Sequence, residues 1–487
     1  MHRQIIINNC KLRLMYKNTS LIIFLLLSVF YLIFGYGVTV SNDSVTNVDQ
    51  IVSLDIWSRS SHFSFHLFGV VFYLLFTKLI GFSAVTSIEI MLAVFSALSA
   101  AALYNLTKTK YGSISQAILT VVIYSLTSGV IRFSSQVEYL ILVPSFCLIS
   151  LFFYSRNQNI VSGVFFGLGL LTSPFAVLFI PTFFLFTSIK EVFTKRNLIF
   201  AFSLIAVYLS INVFTYQETV SGHWSYGGEV NRYKQIFGEI NFLRPVAIFV
   251  YGYLRSFNIL ILIIPFAFYF LYNHNRELFY IIFITFLIHL PVAIPEARYG
   301  GYQMTAYPVI AVCAGYFLYN LFNKRKYTVL IILFFYIVIN VFLVFSERTF
   351  SRDLKETYVQ LNNNLDSNSV LIVYQAIKPI KKIYAPNLQI HGLLSDYQNE
   401  MEKHNPRFTA TDLNTILNNN ETIYLLESGV SMPDDYLKLM VSQFTKNQGA
   451  KVKGFALDKV LSINPSLKTE KLEEYSLDVY KLTKGKY

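Results

Sequence analysis

Charge is scarce in this chain. Only 14% of its 487 residues are Asp, Glu, Lys or Arg, where a soluble domain carries about 25%. Cysteine is scarcer still, with three in all. Cys147 and Cys313 lie inside apolar runs and Cys10 in a basic N-terminal tail. A disulfide framework and a CxxC metal pattern are therefore both excluded. No internal repeat runs over the whole chain, and the region 347–487 shows no GxGxxG, no P-loop and no His/Cys cluster.

What is abundant is apolar. Hydrophobic residues make up 54% of the chain and aromatic ones 17%, and the mean hydropathy is +0.48. This composition predicts a polytopic α-helical membrane protein. The net charge of +12 is not a nucleic-acid signal, because much of it sits in short loops between apolar runs, where Lys and Arg set topology. The first run, "LIIFLLLSVFYLIFGYGVTV" (21–40), is too long for a signal-peptide core and no small-residue cleavage site follows it, so it is read as an uncleaved anchor.

Further runs near the ~20 residues a bilayer needs lie at 84–104, 113–131, 138–154, 197–215, 257–273, 278–295, 302–322 and 327–345. Two stretches are ambiguous. Residues 63–82 either span or lie along the surface, and 159–186 form one long helix or two short ones broken at Ser173-Pro174. The basic clusters decide between these readings: Arg3/Lys11/Arg13/Lys17, Lys108/Lys110, Arg156, Lys190/Lys195/Arg196, Arg276 and Lys324/Arg325/Lys326. The positive-inside rule wants each on the cytoplasmic side. One arrangement satisfies all of them, with 63–82 not crossing and 159–186 crossing twice. It gives about eleven spans in a membrane domain over 21–345, a cytoplasmic tail at 1–20, and outer loops at 41–83 and 216–256. Residues 346–487 are polar, with strand-like runs at 369–374, 422–428 and 476–482 and a helical pattern at 432–447. They read as a small extracytoplasmic α/β domain.

Under that topology the ionisable groups share one depth. Asp43 and Asp49 follow the first span, with Asp55 a solvated loop charge. His62 and His66 open the 63–82 stretch, and Glu89 lies near the outer start of 84–104. Arg132 and Glu138 flank a short turn, and Arg255 precedes the 257–273 span. His289, Glu296 and Arg298 cluster at the outer end of 278–295. Ionisable groups near the membrane plane are functional candidates by default. Sugar transfer from a lipid-linked phosphate fits them. It needs a carboxylate to take the acceptor's proton, and cations or donors for the phosphate leaving group, all at headgroup depth.

The order of motifs carries a resemblance. "NDSVTNVDQ", "SHFSFHLFG…LIGFS", "TKTKYGS", "SSQVEYLILV" and "EARYGGYQMTAYPV" follow one another over roughly 20–345. The series resembles the GT-C superfamily of polytopic glycosyltransferases, which includes protein O-mannosyltransferases and aminoarabinose and arabinosyl transferases. Where that family has two prolines after a histidine, this chain has Phe63 and Ser64. The resemblance implies a hexosyl- or pentosyl-transferase acting on the extracytoplasmic side, in a bacterial inner or plasma membrane. Its donor would be a polyprenyl-phosphate-linked sugar and its acceptor a glycan, protein or lipid. Asp43 matches the first-loop acid and is the expected general base or its orienter, with Asp49 in reserve. Glu138 matches the second acid and Arg298 the late basic residue. His62, Arg255 and Arg132 join Arg298 as expected contacts of the donor phosphate. No cofactor is predicted, and a divalent metal stays open.

Plainer readings stand beside these. Asp43 sits in turn-like "NDS", Glu138 is a span-end residue able to pair with Arg132, and Arg298 is placed to snorkel. His62 and His66, four apart, lack an obvious third ligand for a metal. The aromatic run at 223–237 suits either a sugar or an interfacial belt. A transporter or flippase of lipid-linked saccharides is the alternative function, although transporters favour repeats and midplane charges. A polysaccharide ligase is another.

Overall fold

The computed structural model describes residues 19–38, 42–57, 62–187, 194–221, 252–293 and 300–365. In the C-terminal region it describes chiefly 369–375, 387–394, 423–426 and 467–484. Two compact units emerge. One comprises Met1–Gly35 and Gln50–Val344, the other Tyr36–Asp49 and Phe345–Tyr487.

The first unit is a helical bundle. Its elements are α1 (Thr19–Ile33), the last turn of α2 (Asn42–Val52), α3 (Phe63–Phe72), α4 (Ala84–Tyr111), α5 (Ile114–Ser125), α6 (Ser128–Ser135), α7 (Leu142–Ser155) and α8 (Asn159–Thr172). After these come α9 (Ile180–Phe186), α10 (Lys195–Ser221), α11 (Gly252–His274), α12 (Arg276–Ala293), α13 (Tyr307–Phe322) and α14 (Lys326–Asn364). Among the described residues, α4, α11 and α14 are long and apolar enough to cross a membrane, and α5 with α6 makes a fourth if the bent pair is one span. The first helix ends at Ile33 rather than near 40, before the close-set Gly35 and Gly37, the second of which takes φ +65°, a conformation open to glycine.

One expected span is bent, and the expected break in another run is present. The 113–131 run bends by 62° between α5 and α6. Thr127 leaves the helical region at φ −64°, ψ 142° and its hydroxyl then accepts from the Val130 amide at 3.2 Å, restarting the helix. The 159–186 run breaks where Ser173 is extended and Pro174 opens a 3₁₀ turn, Pro174–Phe179, since proline disfavours the helical region for the residue before it. Close packing starts from small residues. A Cβ on Gly163 would lie 2.6 Å from the Phe200 carbonyl and 2.7 Å from Ser203 Cβ, so α8 and α10 touch backbone to backbone there.

The ends of these helices pair consistently. Asn105 donates to Ser20 Oγ at 2.9 Å, Lys110 lies 3.8 Å from Glu277, and Arg196 donates to Asn159 at 3.1 Å while its guanidinium covers the Tyr154 ring.

In the second unit, α14 continues well past residue 345, the expected end of the last span. Leu354, Tyr358 and Leu361 form one apolar stripe on that extension and pack with Leu371, Leu388, Leu426 and Val479, which gives an otherwise polar helix a buried face. The sheet has the order β2-β1-β3-β5-β4, with β1 (Val370–Gln375), β2 (Gln389–Leu394), β3 (Ile423–Leu426), β4 (Leu467–Leu472) and β5 (Val479–Lys484). Strands β2, β1 and β3 run parallel, while β5 is antiparallel to both β3 and β4. The run 432–447 lies outside the described residues. Tyr36 donates to the buried Glu347 at 3.2 Å, and Arg352 Nε donates to the Tyr36 carbonyl at 3.2 Å.

Candidate functional site

The site is built on short pieces of backbone, not on long helices. Helix α6 delivers Arg132, whose Nε donates to Gln136 Oε1 at 3.2 Å and whose guanidinium lies 5.1 Å from the Phe133 ring centre. The chain is extended at Gln136 and at Glu138, which precedes the 3₁₀ turn Tyr139–Ile141. The Tyr139 ring stacks on His62 with centroids 3.7 Å apart. His62 Nδ1 lies 2.9 Å from the Thr172 carbonyl, where α8 breaks. A carbonyl only accepts, so Nδ1 donates its proton there and the ring's orientation is fixed.

Arg255 comes from the first turn of α11. Its carbonyl accepts from Ser128 Oγ at 3.1 Å, which ties α11 to α6. Its neighbour Ser256 shares a 2.6 Å hydrogen bond with the Tyr307 hydroxyl. A Cβ on Gly129 would sit 3.0 Å from the Tyr307 ring. A side chain there would need the Tyr307 ring or α6 to give by a few tenths of an ångström. The 3₁₀ turn Gly300–Thr305 packs against α6, against Tyr139–Ile141 and against Pro174–Phe179.

His62, Arg132, Glu138 and Arg255 are thus brought into one neighbourhood of the first unit. Each is half-buried. Such charges meet a ligand without the full desolvation cost of a core position. Gln136, Tyr139 and Tyr307 were missed by the sequence reading. Two of the three flank Glu138 in "SSQVEY", and Tyr307 closes the run that begins at Arg298, so the motifs themselves were the signal.

Other expected residues fall elsewhere. Asp43 stands in the first turn of α2 rather than in a turn, and its side chain is outside the described residues. Asp49 is exposed on the same helix, and both acids belong to the second unit. Glu296 and Arg298 lie outside the described residues. His289 is fully buried, its Nδ1 2.7 Å from the Thr285 carbonyl and its Nε2 2.7 Å from Thr305 Oγ1. Both nitrogens are occupied internally, which makes it a structural residue. His66 is fully buried on α3. Glu89 is buried too, with a carboxylate oxygen 3.0 Å from where a Gly35 Cβ would stand. Among the described residues no three His, Cys, Asp or Glu side chains group as metal ligands.

Residues 68–216 match the family model described as dolichyl-phosphate-mannose-protein mannosyltransferase. None of the curated proteins matches the chain. Two crystal structures of ArnT from Cupriavidus metallidurans are similar in fold. The form bound to undecaprenyl phosphate is 11% identical with a TM-score of 0.56, over 97% of this chain and 98% of that one. The apo form is 12% identical with a TM-score of 0.54, over 98% of each. The order of motifs, the matched segment and the shared fold agree, and the chain's resemblance is to the polytopic glycosyltransferases of the GT-C superfamily.

Proposed function

We propose that the protein is a membrane glycosyltransferase that moves a sugar from a polyprenyl-phosphate-linked donor to an acceptor on the extracytoplasmic side. What supports this reading is that the segments bearing His62, Arg132, Glu138 and Arg255 pack together: His62 stacks on Tyr139, next to Glu138, and Ser128 of α6 bonds the Arg255 carbonyl. The helix ends that meet there are those assigned to the outer face by the loop charges. Lys110 with Glu277, Arg196 with Asn159 and Asn105 with Ser20 join ends assigned to the inner face. This sorting supports about eleven spans, a cytoplasmic N-terminus and an extracytoplasmic region 346–487. The matched mannosyltransferase model and the undecaprenyl phosphate on the similar ArnT support a lipid phosphate donor.

In the reaction the acceptor's oxygen attacks the anomeric carbon and its proton passes to a carboxylate. The bond between that carbon and the phosphate oxygen breaks, and polyprenyl phosphate leaves. Asp43 is the proposed base, with Glu138 the second acid and Asp49 in reserve. Arg132 and Arg255, with His62 and Arg298, offset the charge of the departing phosphate. The sugar is a hexose or a pentose and the acceptor a glycan, protein or lipid.

Two variants test the division of labour. Arg255→Ala should raise the donor KM by roughly 10–100-fold, the loss expected for a hydrogen bond to a charged group. Asp43→Asn should lower transfer by about 10²–10⁴ with donor affinity little changed. An Arg255→Ala enzyme with ordinary donor KM, together with an Asp43→Asn enzyme of ordinary turnover, would sink the reading.

A further inference from the structure

Helix α5 stops inside the bundle, at the bend that aims α6. A helix end leaves carbonyls without intrahelical partners, and hydrocarbon offers none, so the protein itself must supply them. Here each of the last four is met. The Val122 carbonyl accepts from the Leu126 amide at 3.1 Å. The Ile123 carbonyl accepts from the Tyr336 hydroxyl at 2.7 Å. The Tyr124 carbonyl accepts from the Thr127 hydroxyl at 3.0 Å. The Ser125 carbonyl accepts from the Tyr31 hydroxyl at 3.0 Å. Tyr31 and Tyr336 are both completely buried and come from α1 and α14. Tyr31 also grips the far end of α6, because its own carbonyl accepts from Ser135 Oγ at 3.0 Å. One residue of α1 therefore holds both the end of α5 and the far end of the eight-residue α6.

We infer that Tyr31 and Tyr336 are positioning residues of the transfer site: they hold the α5–α6 bend and so fix the direction from which Arg132 and Glu138 enter it. This rests on the reading that Arg132 contacts the donor phosphate. Neither tyrosine touches substrate. Each acts through backbone carbonyls that no other span reaches in the described residues.

The test uses Tyr31→Phe and Tyr336→Phe in the full-length protein, and Ser135→Ala as a milder variant. Ser135→Ala leaves the Tyr31 carbonyl its own helical partner, the Phe34 amide. Two quantities are read: amide hydrogen exchange along the chain, and donor KM separately from kcat. Exchange over 126–138 should rise about tenfold for each buried carbonyl left without a donor, with the rest of the bundle unchanged. Donor KM should rise severalfold in step. In an Arg132→Ala background the tyrosine variants should add nothing to KM, because they act through that arginine. Exchange that is unchanged, or raised evenly through the bundle, would overturn the inference. So would a donor KM that responds to Arg132→Ala and not to the tyrosine variants. A donor KM indifferent to Arg132→Ala would overturn the positioning role by removing the phosphate contact it serves, and local exchange would still report the bend.

Discussion

At Gly129 a missing methyl group decides how near two elements come. The Tyr307 ring, the Tyr307 hydroxyl and Ser256 Oγ lie 3.0, 3.1 and 3.4 Å from where its Cβ would be. Gly129→Ala should therefore push α6 off α11 and α13 and cost about 1–3 kcal/mol, the usual price of overpacking, measured as a lower midpoint of thermal unfolding in detergent. A variant as stable as the parent would show that α6 yields without strain. Glu138 is the second residue to probe. Glu138→Gln keeps the shape and most hydrogen bonding and removes the charge. It should lower transfer by removing the second carboxylate. Stability and transfer measured on one preparation separate this from a loss of fold.

At the level of elements, periodicity and punctuation made most helices legible. The break at Ser173-Pro174 was readable because proline constrains the residue before it. The bend at Thr127 was not read, although Thr-Ser-Gly in "YSLTSGV" is cap and turn chemistry, and what holds it comes from Tyr31 and Tyr336, far away in the chain. The continuation of α14 beyond 345 was hidden as well, because a three-residue stripe among charges is a weak signal until the sheet it packs on is known. Strand β4, "LKTEKL", has mostly exposed side chains, so alternation could not flag it. One element offers a direct measurement. Helix α3 runs on through a π-helical turn, Tyr73–Lys78, and Val71, Leu75 and Leu79 share its exposed side. If this stretch lies along the membrane surface, spin labels at the three positions should report nearly one depth. If it crosses, the first and last should differ by about 12 Å, eight residues at 1.5 Å each.

Across the whole molecule, loop charge is what assigns a side to each helix end in the proposed topology. A reporter fused at residue 350 should be active only outside the cytoplasm; activity only inside would invert the proposed topology and separate the site from its lipid headgroup. The α5–α6 bend adds a constraint of another kind, one of timing. Helix α5 has 12 residues, about 18 Å, too short to cross ~30 Å of hydrocarbon by itself. It must enter the bilayer together with α6, as one continuous segment. The hydroxyl that meets the Ile123 carbonyl is 213 residues further along, so that carbonyl waits through the synthesis of every intervening helix. A nascent chain arrested before residue 326 would hold the whole segment matched by the mannosyltransferase model and still lack half of its clamp. The α5–α6 bend is complete only once α14 is in place.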